Sequence, residues 1–199
     1  MRRISRYFGT MVPADENSSS YRVDLSSYDT GDFDPGPLVK RLVWYLVSVS
    51  FFECRIPWPS SFKSALLSAF GGQVGEGVVI KPGVRIKYPW FLTVGDHCWI
   101  GEDAWIDNLC AVTLGDHVTI SQGAYLLTGN HDYRSEKFDL RMEPISVETG
   151  AWVAARALVT PGRTVGENAV LSAGAVLLSD AEAGGVYAGN PAIRVRDRL

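Results

Sequence analysis

The sequence predicts an all-β solenoid, and three observations carry that prediction. Apolar residues recur every six positions, in the triplets Val74-Ile80-Ile86, Val94-Ile100-Ile106, Leu114-Ile120-Leu126, Val147-Val153-Val159 and Val165-Leu171-Leu177. All fifteen are Ile, Leu or Val, a period that fits neither a helix nor a lone strand. The residue four places on is small or β-branched in twelve cases (Val78, Val84, Cys98, Ala104, Cys110, Val118, Ala124, Ala151, Ala157, Ala169, Ala175 and Ala181); the exceptions are Trp90, Asn130 and Arg163. Finally, the frame breaks only after a third hexad, at Leu92-Thr93, at Val112-Thr113, and over the fifteen residues from Asp132 to Ser146. Each hexad then forms one face of a three-sided prism, and each coil buries its apolar residues only by stacking on the next. Five coils open at residues 74, 94, 114, 147 and 165, with rungs about 4.8 Å apart. The interruptions and the three exceptions all fall on the third face, so one edge reads as opened for something other than packing.

Length and composition agree with one domain and a small appendage. The chain has 199 residues, of which 46% are hydrophobic and 21% charged, enough to build a core. A net charge of −3 gives no basic footprint and argues against nucleic acid as a partner. Cys54, Cys98 and Cys110 are an odd number without metal-ligand spacing. Two of them occupy the small-residue slot, where a thiol acts as a small hydrophobe; free thiols fit a reducing cytoplasm.

The elements follow in order. Residues 1–36 open without a secretory signal and carry Ser18-Ser19-Ser20 and Asp, Gly and Pro punctuation, so they read as irregular. Residues 37–73 read as a helical cap. Leu38, Leu42, Tyr45, Leu46, Val49 and Phe52 make an apolar stripe after Pro37, Pro57-Trp58-Pro59 breaks the helix, and a second runs from a Ser60/Ser61 cap to Gly71-Gly72. This pair either covers the open end of the solenoid or touches a membrane surface through Lys40, Arg41 and Lys63 beside the aromatic residues. The solenoid spans 74–181, with a loop at 129–146, and 182–199 form a tail.

Within the solenoid, His97 and His117 share a slot one coil apart and are expected to stack as turn residues. The third face differs. Ile106-Asp107-Asn108 lies one coil below Leu126-Leu127-Thr128-Gly129-Asn130-His131, placing His131 at the root of the long loop with Asp107 and Asn108 beneath it. Glu143-Pro144 lead the loop back into coil four. Asn130, Asp132, Tyr133 and Arg134, with Tyr88 and Trp90 of coil one, are candidates for binding a substrate.

The hexads, the loop opening Thr128-Gly129-Asn130-His131-Asp132-Tyr133, the return through Ala151-Trp152-Val153-Ala154 and the ending Ala188-Gly189-Asn190-Pro191-Ala192 resemble the hexapeptide-repeat acyltransferases. The resemblance covers residues 38–197. It is strongest to O-acetyltransferases of the maltose/galactoside and nodulation type, and within them to the colanic-acid-biosynthesis branch. It implies a left-handed parallel β-helix, a homotrimer with active sites between subunits, acetyl-CoA as donor and His131 as catalytic base. Trp152 matches the cleft tryptophan. The CoA groove is implied along Ala154, Ala155, Thr160, Ser172, Ala173 and the Gly189-Asn190-Pro191 turn, although many relatives have Gly where this chain has Ala154.

The chemistry expected is transfer of an acetyl group to a sugar hydroxyl, with His131 accepting the proton. Asp107 or Glu143 is expected to hold the other ring nitrogen, and Asn108 or backbone N–H groups to stabilise the oxyanion. No metal and no covalent acyl-enzyme is implied. The acceptor is a free, nucleotide-linked or lipid-linked saccharide, the resemblance pointing to the last, and the site of action is cytoplasmic or at the inner membrane surface. An N-acetyltransferase on an amino or nucleotide sugar and a non-catalytic scaffold remain as alternatives. A γ-type carbonic anhydrase shares the fold but needs three converging His ligands, and this chain has three His in all.

Overall fold

The computed structural model describes residues 22–199, so the Ser18-Ser19-Ser20 punctuation lies outside the described residues. Three parallel sheets close the prism. The first face stacks Gln73–Val74, Leu92–Val94, Val112–Leu114, Ile145–Val147 and Thr164–Val165. The third face stacks Arg85–Ile86, Trp105–Asp107, Tyr125–Leu127, Leu158–Val159 and Val176–Leu177. The second face runs from Val79–Ile80 through Trp99–Ile100, Thr119–Ile120, Trp152–Val153 and Val170–Leu171 to Gly185–Ala188, on which Ile193–Asp197 folds back antiparallel.

The register follows the hexad frame rung by rung: Ile80, Ile100, Ile120, Val153 and Leu171 pair in one column, and the other two faces do likewise. Fourteen of the fifteen hexad residues are buried, and Val74 packs against the core at the capped end. Five coils are complete, and a sixth begins where Ala181 bridges to Val165 and Gly185–Ala188 joins the second face.

The two-residue insertions do not open the edge. They lengthen the first-face strands, and because side chains alternate along a strand, Leu92 and Val112 point inward beside Val94 and Leu114. With Ile145 they form a further buried column. Only the long loop leaves the prism, as an antiparallel hairpin of Gly129–His131 and Leu140–Met142.

Helix α1 (Leu38–Val47) continues as a π-helical turn (Ser48–Phe52), and α2 (Ser60–Ala69) follows. Together they satisfy the free edge of coil one. The Ser60 hydroxyl accepts the Ile80 N–H at 3.0 Å instead of capping its own helix, and the Phe52 carbonyl accepts the Gly83 N–H at 2.8 Å. Lys63 is corrected from a surface cation to a buried one: its ammonium donates to the carbonyls of Ile80 (3.3 Å) and Lys81 (3.0 Å), and burial lowers its pKa. The Lys40 ammonium lies 4.3 Å from the Trp90 ring centre. Trp44 packs on Phe52 and Phe70 and donates its indole N–H to the Ile86 carbonyl at 2.9 Å.

Candidate active site

Where the hairpin leaves the prism, residue 129 is glycine and its bare Cα faces the Leu109 side chain. A Cβ there would stand 2.5 Å from Leu109 Cδ1. Coil two beneath is locked by hydrogen bonds: Thr128 Oγ1 donates to the Asp107 carbonyl and accepts the Leu109 N–H. His131 thus ends a strand whose root is fixed while its tip projects.

The imidazole is held from within the hairpin. Nδ1 lies 2.9 Å from the Phe138 carbonyl oxygen. A carbonyl only accepts, so Nδ1 carries the hydrogen and Nε2 is the unprotonated nitrogen of the neutral ring. The Phe138 ring stacks on the imidazole at 4.3 Å and 10°. Phe138 achieves this at φ +54°, a left-handed conformation that costs a non-glycine residue about 1–2 kcal/mol. Strain of this kind persists where surrounding structure over-determines it. The Tyr28 ring also approaches the imidazole, at 5.7 Å between centres, its segment tied to the hairpin by a 2.8 Å bond from the Asp24 N–H to the Glu136 carbonyl.

Around His131, the residues Asn130, Asp132, Tyr133, Arg134 and Arg141 line a concavity of 290 Å³. Asp132 forms an ion pair with Arg141 and accepts the Arg134 N–H at 3.0 Å, and Asn130 Oδ1 accepts the His131 N–H at 2.8 Å. A second depression of 340 Å³ shares Asn130 and Arg141 and continues over Glu143 and Thr160. The structure therefore brings together His131, Asn130, Asp132, Tyr133 and Arg134, with Glu143 and Thr160 one step along the same edge.

Other expected site residues stand elsewhere. Asp107 does not reach the imidazole: one carboxylate oxygen meets Lys87 at 3.0 Å and the other accepts the Tyr125 hydroxyl at 3.1 Å. Burial, and then the Asp107 charge, push the Tyr125 phenol well above its ordinary pKa. Asn108 is fully buried, one amide N–H donating to the Tyr88 carbonyl at 2.6 Å and Oδ1 accepting the Tyr88 N–H at 3.1 Å, so its side chain is turned to Tyr88 and does not line the His131 concavity. Glu143 faces Arg163 at 3.7 Å, not His131. Tyr88 packs at a tilt against Trp90 and Phe33 near helix α1 and does not line the His131 concavity. Trp152 is 42% exposed on the second face, its indole N–H donating to Ser121 Oγ at 2.8 Å.

Ala154, Ala155, Ser172 and Ala173 form stacked turns after the second-face strands, where the Gly174 N–H donates to the Ala155 carbonyl at 2.9 Å. The Gly189 carbonyl accepts the Val176 N–H at 3.0 Å, and Asn190 and Pro191 lie exposed beyond it. His97 and His117 stack at 5.3 Å. Among the described residues no group of three His, Cys, Asp or Glu side chains could hold a metal ion. Phe138, Tyr28 and Arg141 were not foreseen from the sequence. The first acts through a backbone carbonyl, which any residue type supplies.

Residues 92–128 and 144–179 match the family described as the hexapeptide repeat of succinyl-transferase. The chain is 36% identical over 177 residues to the colanic acid biosynthesis acetyltransferase WcaF of Escherichia coli, covering 88% of this chain and 97% of that one. It is 25% identical over 138 residues to the galactoside O-acetyltransferase of the same organism, 68% of each chain. Among solved structures, a hexapeptide-repeat-containing acetyltransferase of Vibrio cholerae, complexed with acetyl coenzyme A, superposes with a TM-score of 0.74 at 22% identity, over 86% of this chain and 96% of that one. That last likeness is one of fold.

Proposed function

This chain belongs to the hexapeptide-repeat acetyltransferases, and from that premise we propose that it moves an acetyl group from acetyl-CoA to a hydroxyl of a saccharide, with His131 as general base. The observation that carries the proposal is the Nδ1–H bond from His131 to the Phe138 carbonyl, which leaves Nε2 as the basic nitrogen at a polar concavity. Support for the donor comes from the acetyl coenzyme A named in the Vibrio cholerae complex. Support for a sugar hydroxyl comes from the colanic acid and galactoside relatives.

The donor fits the surface. The stacked turns at Ala155 and Ala173-Gly174 present little bulk, and a Cβ added to Gly174 would meet nothing within 4 Å. A narrow pantetheine arm suits such a shelf. Trp152 stands on the second face, whereas His131 leaves at the third-face edge. A neighbouring copy in a homotrimer would set one copy's shelf opposite the next copy's hairpin and make each cleft shared.

In the reaction, Nε2 takes the hydroxyl proton as that oxygen attacks the thioester carbonyl. Collapse of the tetrahedral intermediate breaks the C–S bond, and the imidazolium returns the proton to the CoA thiolate. The Phe138 carbonyl stabilises the imidazolium that forms, a backbone counterpart to the carboxylate often found behind a catalytic His. Arg134 adds positive charge beside an acceptor, while Arg141 is paired with Asp132. With Asn108 engaged by Tyr88, backbone N–H groups at the coil edge remain for the oxyanion.

The test combines calorimetric titration of acetyl-CoA with thiol release during turnover on saccharide acceptors, hydroxyl beside amine. His131→Ala is expected to bind the donor as the wild type does and to lose transfer. Wild-type turnover in that variant, or preference for the amine acceptor, would overturn the assignment.

A further inference from the structure

One side of helix α1 is buried on the solenoid through Trp44 and Ser48. The other side carries Leu38, Val39, Leu42, Val43, Tyr45 and Leu46, all exposed, Val39 at 73% and Leu46 at 64%. Val49 and Ile56 are exposed beyond them, and Phe51, Trp58 and Phe62 cluster edge to face beside the turn. A helix facing water would put charges there. A contiguous apolar patch of this kind marks an interaction surface.

Charge indicates what covers it. Residues 37–90 hold seven Lys and Arg against two Asp and Glu, in a chain whose net charge is −3. Lys63 is buried, and Arg55 and Lys87 are paired with Asp103 and Asp107, which leaves Lys40, Arg41, Lys81 and Arg85 without an acidic partner among the described residues. Arg41, Arg85 and Lys87 line the same groove as Leu38, Leu42 and Tyr45, against Glu53, which is bonded to Ser48, and Asp107, which is paired with Lys87. Arg41 Nε is buried and has no hydrogen-bond partner among the described residues, and Arg85 is exposed over the Trp105 ring. An apolar helix face rimmed by cations complements a surface of acyl chains topped by phosphates. A second copy meeting it by two-fold symmetry would bring the cationic rims together.

We propose that the helical cap docks on an anionic phospholipid bilayer. Helix α1 lies in the interface plane, its aliphatic side chains among the acyl chains, with Arg41 and Arg85 toward lipid phosphates. Tyr45 suits the headgroup level. No helix among the described residues is long and apolar enough to cross a membrane, so the contact is with one leaflet. Docking holds the prism at a surface whether or not the acetyl-transfer proposal stands.

The full chain would be sedimented with vesicles of equimolar phosphatidylglycerol and phosphatidylcholine, and with phosphatidylcholine alone. The expected result is co-sedimentation with the anionic vesicles and weak partition to the neutral ones, declining with salt. Leu42→Ser/Leu46→Ser and, separately, Arg41→Glu are expected to reduce partition about tenfold or more. The first pair is exposed, so its thermal unfolding should overlay the wild type, and its acetyl transfer to a soluble acceptor should be unchanged. Wild-type protein staying in the supernatant, or the serine variant pelleting equally well, overturns the proposal. So does a fall in the serine variant's mass by light scattering, which would assign the face to a second copy.

Discussion

In the coils, every inward residue is supported by its counterpart above and below: Ile120 sits between Ile100 and Val153 and is fully buried. In the hairpin, His131 rests on contacts that occur once, namely a carbonyl, a stacked ring and a tilted tyrosine. Repetition makes the coils rigid and tolerant, because neighbouring rungs share the load of a lost contact. The hairpin has no such neighbours, so its geometry depends on individual residues. The two regions should therefore fail differently, the coils in stability and the hairpin in turnover.

The sharpest separation is expected from His131→Ala. Removing a general base costs roughly 10²–10⁴-fold in rate, so kcat should fall by that factor while the unfolding midpoint stays near the wild type. Ile120→Ala should do the reverse. Emptying a fully buried Ile site destabilises by about 2–5 kcal/mol, readable in a urea titration, with kcat per folded molecule unchanged. A large loss of kcat in folded Ile120→Ala would mean that the coils transmit strain to the hairpin.

The same contrast explains what could be read from the chain. The frame from Val74 to Leu177 matched the observed register on every rung because each position is stated five times over, in one vocabulary of Ile, Leu and Val. His131 was legible because a histidine at the root of a long excursion breaks that vocabulary. Its partner was not. Asp107 lies one rung below in register, but Lys87 and Tyr125 claim it, and both owe their positions to other coils. Phe138 reaches the imidazole through a carbonyl at positive φ, and no residue type in the sequence announces either. The insertions Leu92-Thr93 and Val112-Thr113 misled for another reason: breaks in period looked like openings, whereas alternation along a strand let them pack.

Intermediate effects should come from groups that hold an edge without taking part in chemistry. Lys63→Met keeps the length of the side chain but leaves the Ile80 and Lys81 carbonyls without their donor. Losing such a buried partner costs about 1–3 kcal/mol, expected as a lowered urea midpoint with unchanged KM. Phe138→Ala keeps the carbonyl but removes the stacked ring. With less to hold the left-handed backbone, the imidazole should wander, lowering kcat by roughly tenfold, or about 1.4 kcal/mol. Phe138→Tyr, which keeps the stacked ring, should restore kcat. An unchanged kcat in Phe138→Ala would assign the ring to packing alone.

The smallest effect is expected at Tyr28, and it bears on whether the segment before helix α1 belongs to the site. The Tyr28 ring centre lies 5.7 Å from that of the imidazole, and the bond from Asp24 to Glu136 holds its segment against the hairpin. Neither contact supplies a proton or a charge, so Tyr28→Ala should leave kcat within about twofold and the melting point unchanged. What the ring does provide is apolar surface close to the imidazole. Removing it should weaken ground-state contact with the acceptor and raise KM a few-fold, roughly 0.5–1 kcal/mol, with donor binding unaltered. A rise in KM for acceptor alone would make residues 22–28 part of the acceptor pocket. Unchanged KM for both substrates would restrict the site to the hairpin and the coil edge.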